Sequence, residues 1–433
     1  MTVPSASSQS MSFKLAVTNR YPALASRDFL IFWTGQFVSL IGTWMQSTTL
    51  PYLAYKLTGS PFDLGLIGFA SSLPTLLLAL PAGVIVERVD KRKTVIIMQS
   101  IMMVQAFTLA FLTLSGRIQI WQIVILAFIL GAANAVEITA RQAMLVELVG
   151  MEALPNAIAL QATIFNAARV LGPLLFAPFL IAFQGGGEGW AFFLNGLSFL
   201  FVIIGLFFVR TPYKIANTEE NGEKRNYWGE FREGQRYILK NSIIALIILL
   251  AAILGFFGFP FGQQIPALAR DVLYVTGQTD TMVATRTSAM YMMQGVGALI
   301  AAFFLASYSG LKRRGLLMTI GQFAFILALI GLSQVSKVPP ALILMLVLGW
   351  GMVTQLNLMN VLIQLSVTNE LRGRVFSTYL WALQGVAPFG SLFIGWMAQN
   401  VGLSTTALVC GVICLIAAGA VHISNPSLRK LTA

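Results

Sequence analysis

The sequence predicts an all-α integral membrane protein with twelve transmembrane helices in two pseudo-symmetric bundles of six. Three observations carry this prediction. The 433 residues are 57% hydrophobic and only 10% charged, with a mean hydropathy of +0.78, whereas soluble domains run near 45–50% apolar and about 25% charged. The apolar residues fall into about twelve runs of the ~20 residues needed to span hydrocarbon. The second half of the chain echoes the first.

Residues 1–28 are polar and serine-rich, with Lys14, Arg20 and Arg27 and no short apolar core. This is a cytoplasmic tail rather than a cleaved signal peptide. Residues 29–209 hold six runs, beginning near Phe29, Phe62, Thr94, Gln119, Asn156 and Trp190. Residues 210–240 form a mixed-charge cytoplasmic linker, in which YWGEFREGQRYIL has the pattern of an interfacial amphipathic helix. Residues 241–424 hold the other six, beginning near Asn241, Thr285, Gly315, Ala341, Val375 and Thr405, and 425–433 are a short cytoplasmic tail. Pro and Gly inside the runs, such as Pro74, Pro81, Gly255, Pro260 and Pro388, are tolerated where neighbouring helices satisfy the freed backbone groups.

Charge sets the orientation. With both termini cytoplasmic, 22 of the 28 lysines and arginines fall on the cytoplasmic side, five on the other, and Arg169 inside a span. That asymmetry matches the positive-inside rule. The net charge of +12 is therefore topogenic, and its scatter between apolar runs argues against a nucleic-acid partner. Cys410 and Cys414 lie one turn apart in the last run, as packing residues. A single histidine, His422, rules out a histidine metal cluster. No nucleotide-binding, zinc-protease or CxxC motif occurs, so no cofactor, metal or ATP-driven step is expected.

The internal echo is specific. LVGMEALPNAIALQATIFNAARVLGPLLFAP in the first half corresponds to LSVTNELRGRVFSTYLWALQGVAPFGSLFIG in the second. The charged loop GVIVERVDKRK, Gly83 to Lys93, corresponds to SYSGLKRRG, Ser307 to Gly315, which keeps the basic cluster and lacks the acid. Parallel repeats of this kind underlie one class of transporter architecture.

GVIVERVDKRK resembles the loop signature of the major facilitator superfamily, with Glu87 at the acidic position. FLIFWTGQFVSLIGTWMQ, YKLTGSPFDLGLIG, ARQAMLVELV and NAARVLGPLLFAP together resemble its efflux branch, which includes the enterobactin exporter and macrolide-efflux proteins. The sequence departs from that pattern at Thr139, where a Pro is usual, and at Phe176 and Ala177, where paired glycines follow the Gly-Pro of the antiporter motif. The resemblance implies a monomeric secondary exporter in a bacterial cytoplasmic membrane, moving a siderophore or drug-like molecule out by proton-coupled alternating access. A lipid flippase of the same fold is the alternative, and an intramembrane enzyme lacks the His–acid or Ser–His pair it would need.

Within that frame the residues take roles. Gly83, Glu87, Arg88, Lys91 and Arg92, with Arg372 and Arg374 opposite, are the expected gating latch, Glu87 facing the helix N-terminus near Val375. Arg169 lies deep in the fifth span, where a charge lines a cavity or finds a partner. It is expected to bind an anionic substrate group, an internal carboxylate or helix carbonyls. Glu137 is a candidate proton carrier, or an ion-pair partner of Arg141 one turn on. Asp63 is a weaker carrier candidate or a helix cap. Gln36, Gln46, Asn134, Gln263, Gln264, Gln355, Asn357 and Asn360 place amides inside spans, where they line a pocket or bond between helices. Trp44, Phe256, Phe257, Phe259 and Trp350 would make that pocket amphipathic. Gly172 and Pro173 form the expected helix-kink motif.

Overall fold

The computed structural model describes residues 21–183, 186–210, 227–307 and 313–431. Within these the side chains of 79–80, 83–85, 87–88, 227–228, 230–231, 369–370 and 430 are not described. All regular structure among the described residues is helical. Ten helices are long and apolar enough to cross a membrane.

That figure differs from the twelve predicted runs for two reasons. Residues 120–182 form one 63-residue helical stretch interrupted only at Gly150, with φ 72° and ψ 171°. Positive φ suits glycine because it has no Cβ to clash. The chain doubles back there, since Arg141 Nη1 donates to Gln161 Oε1 at 3.4 Å. The stretch is therefore two helices, α4 (120–149) and α5 (151–182). The other difference is α1 (Arg27–Thr58), whose 32 residues are long enough to span but diluted by Ser, Thr and Gln.

The remaining spans are α2 (Pro61–Arg88), α3 (Lys91–Leu114), α6 (Gly187–Phe208), α8 (Ser242–Val272), α9 (Asp280–Ser307), α10 (Arg314–Leu332), α11 (Val338–Ser366), α12 (Leu371–Val401) and α13 (Leu403–Ser424). Between the sixth and seventh spans lies α7 (Tyr227–Lys240), and α14 (Ser427–Lys430) follows the last. Helix starts are capped by polar side chains: Ser26, Ser60 and Asp90 accept from Phe29 N, Asp63 N and Lys93 N. Each occupies one of the amides left orphaned at a helix start. The cap of α2 is thus Ser60, and Asp63 sits in its first turn.

Two spans break where proline removes a backbone donor. In α8 a π-turn over Leu254–Gly258 leads into a 3₁₀ segment, Phe259–Gln264, containing Pro260. In α12 a π-turn over Trp381–Gly385 precedes Pro388. The two breaks meet, because Gly255 lies directly against Leu383 O.

In the first bundle α1 packs on α5 and α6, α2 on α4, and α3 on α6. In the second, α11 packs on α9 and α10, and α10 on α13. Chain direction puts Lys91, Arg141, Arg314 and Arg372 at one end, here the basic end, and Thr58, Pro61, Asp271 and Asp280 at the far end. The bundles meet along two seams, α2 with α12 and α5 with α9. The first depends on small residues. A Cβ on Gly65 would fall 2.9 Å from Gly395 Cα and closer still to Ser391 O, and Phe69 stacks edge-on to Phe389 at 6.2 Å.

Gly65→Leu should therefore overpack the seam and cost the far-end-closed arrangement about 1–3 kcal/mol, a population shift of roughly five- to 150-fold. Spin labels at the exposed positions Leu57 and Thr276 should report a longer far-end distance. An unchanged distance distribution would show that the seam yields without opening.

Candidate functional site

A cleft between the bundles can be read from burial along two helices. Residues Thr34, Val38, Ile41, Met45 and Tyr52 share one face of α1, being separated by three, four or seven residues. Thr34 and Val38 are exposed, Ile41 is half-buried, and Met45 and Tyr52 are buried. At the far end this face meets the second bundle, where Tyr52 Oη donates to Asp280 O at 2.9 Å. The same gradient runs along α5, from exposed Ile158, Ala162 and Phe165 through half-buried Arg169 to Phe176, which is fully buried. That helix meets α9 through Ser288 Oγ, which donates to Pro173 O. The two faces converge at Tyr52 and Phe176, whose rings are 5.5 Å apart. The gap thus opens at the basic end and is closed at the far end.

Arg169 stands at the boundary between the exposed and buried parts of this wall. Its guanidinium carbon lies 5.4 Å from the centre of the Trp44 ring. Trp44 in turn stacks edge-on with Phe165 at 5.4 Å. No carboxylate among the described residues pairs with Arg169. A cation on an aromatic face gains about 2 kcal/mol when desolvated, whereas a charge at mid-membrane costs at least about 2.5–3.5 kcal/mol. The aromatic contact alone does not compensate a charge at that depth.

Gly172 and Pro173 lie inside continuous helix and act as contact residues. Gly172 lets α1 approach, since a Cβ there would fall 2.5 Å from Trp44 Cβ and 2.7 Å from Met45 N. Pro173 has no N–H, so the Arg169 carbonyl one turn earlier loses its helical donor. Gly295 of α9 fits against that carbonyl: its Cβ, if present, would be 2.8 Å from Arg169 O.

Glu137 is buried deep in the first bundle. Its carboxylate accepts from Arg141 Nε at 3.1 and 3.3 Å and from Gln99 Nε2 of α3 at 3.2 Å. The side chain therefore faces α3, away from the cleft, and its pair with Arg141 is part-buried. Gln46 turns the same way, donating to Gln105 Oε1 at 3.2 Å and accepting from Asn195 Nδ2 at 2.7 Å. It ties α1 to α3 and α6. Gln36 and Gln355 are buried, with Gln36 Oε1 and Gln355 Nε2 lacking a protein partner. Asn134 is half-buried, Asn357 is exposed, and Asn360 Oδ1 accepts from Gln364 Nε2 at 2.5 Å. The amides that reach the inter-bundle seam are Gln263, against Gly68, and Gln264, whose Nε2 donates to Pro61 O at 3.1 Å.

Of the expected latch, the side chains of Gly83, Glu87 and Arg88 lie outside the described residues. Lys91 pairs with Glu147 at 2.5 Å, and Arg92 Nη2 donates to Phe207 O at 3.3 Å, both within the first bundle. Arg374 pairs with Glu233 of α7, while Arg372 is exposed.

Sequence reasoning missed a polar lock at the far end. Lys56 pairs with Glu188 at 2.8 Å and with Asp280 of the second bundle at 3.5 Å. Tyr55 Oη donates to Asp271 Oδ2, also across the bundles. Arg286 is buried and donates to Ala269 O at 3.2 Å and to Leu273 O, satisfying carbonyls at the end of α8. Lys56 and Arg286 count as sidedness charges in the sequence, and their partners are distant along the chain. The available signal was Glu188, Asp271 and Asp280, acids on the side poor in basic residues.

Lys56→Gln should destabilise the protein more than Asp280→Asn. The first leaves the buried Glu188 carboxylate unpaired, at about 1–3 kcal/mol. The second removes an exposed pair, at under about 1 kcal/mol. Thermal unfolding in detergent measures the order, and equal shifts would contradict the Glu188 argument.

The sequence profile of the transmembrane secretion effector family matches residues 18–433. The chain is 23% identical over 392 residues to macrolide efflux protein A of Streptococcus pyogenes, covering 89% of this chain and 94% of that one. It is 25% identical over 399 residues to the staphyloferrin A transporter of Staphylococcus aureus strain NCTC 8325 / PS 47, covering 89% and 93%. In fold it is similar to the nucleoside transporter NupG, with a TM-score of 0.71 at 14% identity over 92% of this chain and 99% of the other. The two bundles, their seams and these matches agree: the chain belongs to the transmembrane secretion effector family of the major facilitator superfamily, and is a membrane transporter rather than an enzyme.

Proposed function

We propose that the protein is a proton-driven exporter of an amphipathic organic anion across a bacterial cytoplasmic membrane. The observation that carries this reading is Arg169, a mid-membrane cation on an aromatic face, at the head of a cleft. The basic end is cytoplasmic by the positive-inside rule, so the cleft receives its substrate from the cytoplasm. The carboxylate of a siderophore-like or drug-like compound docks on Arg169, and its apolar part on Trp44 and Phe165. The named relatives, a macrolide efflux protein and a staphyloferrin A transporter, support transport of sizeable organic molecules, and the first supports efflux. Release requires the far-end lock of Lys56, Asp280, Tyr55 and Asp271 to part while the basic end closes. The end of α2 and the basic cluster after it close it, Glu87 meeting the start of α12.

Glu137 is the coupling carboxylate in this scheme. Protonation cancels its pairing with Arg141, which also reaches Gln161. A proton at Glu137 therefore loosens the tie between α4 and α5, the helix that carries Arg169.

A deletion strain, complemented with variants and profiled for metabolites in medium and cytoplasm, tests the reading. With wild type, one or more anionic compounds should return to the medium. Arg169→Ala should abolish that return, and Arg169→Lys, which keeps the charge without the planar fork, should restore part of it. Full secretion by the alanine variant would overturn the site. Glu137→Gln should transport without responding to a pH gradient. A retained response would remove Glu137 from coupling. Growth with and without iron separates a siderophore from a drug-like substrate.

A further inference from the structure

The linker helix α7 presents a face that the protein leaves uncovered. Arg232, Arg236 and Lys240 recur every four residues, and Leu239 lies beside them on the same side. All four are exposed, Leu239 by 81%. The opposite face holds buried Gly234 and Ile238 and is tied to the second bundle. There Gln235 Nε2 donates to Thr378 Oγ1 at 2.9 Å, and Gly234 packs on Arg374. Glu233 borders the basic face beside Lys240 and is engaged with Arg374. None of Arg232, Arg236 and Lys240 has a protein partner among the described residues. One residue, the extended Asn241, separates the helix from the span that begins at Ser242. Lys240 and Leu239 therefore stand at the membrane surface, and Arg236 and Arg232 follow one and two turns back.

We propose that this face binds the headgroups of anionic phospholipids in the leaflet at the basic end. Charge complementarity selects the occupant: among the described residues the face carries three cations, and the one acid at its edge, Glu233, is neutralised by Arg374. Position selects a lipid over a soluble partner, since an isobutyl group 81% exposed at the bilayer surface gains by entering the headgroup–acyl boundary. Basic residues at such a surface strengthen partitioning onto anionic lipid by roughly fivefold each. The opposite face grips α12 through Thr378 and Arg374, so headgroup binding holds the linker against a helix of the inter-bundle seam.

The test uses the full chain in nanodiscs of phosphatidylcholine alone or with about one-third phosphatidylglycerol. Hydrogen exchange at 232–240 is the readout. Wild type should exchange at least about fivefold more slowly with phosphatidylglycerol, in line with the per-residue electrostatic gain. The triple variant R232Q/R236Q/K240Q should exchange equally in both discs, and R232K/R236K should behave as wild type. Because each variant is compared with itself in two lipids, a change in intrinsic helix stability does not imitate the effect. Equal exchange of wild type in both discs, or a lipid effect that survives the triple variant, would overturn the proposal. So would protection in phosphatidylcholine discs by inorganic phosphate, which would mark a soluble-anion site instead.

Discussion

Two bundles in a bilayer gain little from burying apolar surface against each other, because lipid is as apolar as leucine. Close backbone approach has to hold them instead. Here that approach is made at Gly65 with Gly395, and at Gly295 with the Arg169 carbonyl. The second contact joins the seam and the proposed binding site in one element. Pro173 strips the Arg169 carbonyl of its helical donor, the Gly295 backbone covers the carbonyl, and the same residue's side chain lies over Trp44. Movement of α9 against α5 therefore uncovers a backbone acceptor next to the cation. In the proposed cycle, an anion on the guanidinium changes the cost of that movement directly. Coupling between occupancy and conformation needs no longer path than this one residue.

The architecture was legible because hydrocarbon imposes a blunt rule. About twenty apolar residues per span, and positive charge left on one side, are visible without any contact information. Arg169 was legible for the same reason: a charge inside an apolar run has no ordinary explanation. The amides were not separable by type, since Gln46 and Gln263 look alike in composition. Helix phase separates them. Gln46 is in register with Gly35 and Gly42, the positions where α1 meets α6 at Phe201 and Asn195, so it turns into its own bundle. The pairing of Glu137 with Arg141 was available from their spacing, but burial by Gln99 of α3 was not. A third helix supplies that contact, and no local pattern announces it.

The far-end lock shows the complementary failure. Lys56 reads as a topogenic charge, and in the folded chain it bridges Glu188 and Asp280 from opposite bundles. Its two pairs are unequal by construction. Glu188 is buried in the bundle that carries Lys56, so that pair persists when the bundles part. Asp280 is about half exposed, and water replaces Lys56 there at little cost. The lock is therefore one that opens easily: Lys56 keeps its buried partner and gives up the solvated one. A fully buried cross-bundle pair would cost several kcal/mol to separate and would trap the transporter with its far end closed.

This inequality constrains the closing of the other end. A cycle that turns over repeatedly needs its two end states within a few kcal/mol of each other. Among the described residues the far end is held by one solvated ion pair, two tyrosine hydrogen bonds, the Gln264–Pro61 hydrogen bond and glycine packing. The basic end must then be held with comparable strength, not more. The proposed contact of Glu87, at the end of α2, with the first amides of α12 fits that requirement, because a carboxylate at a helix start contributes about 0.3–1 kcal/mol when exposed and up to about 2 when partly buried. The absence of an acid from the matching loop, Ser307 to Gly315, fits as well. A second contact of the same kind would deepen the basic-end-closed state beyond what the far-end contacts balance, and the substrate's own binding energy at Arg169 would no longer decide which end opens.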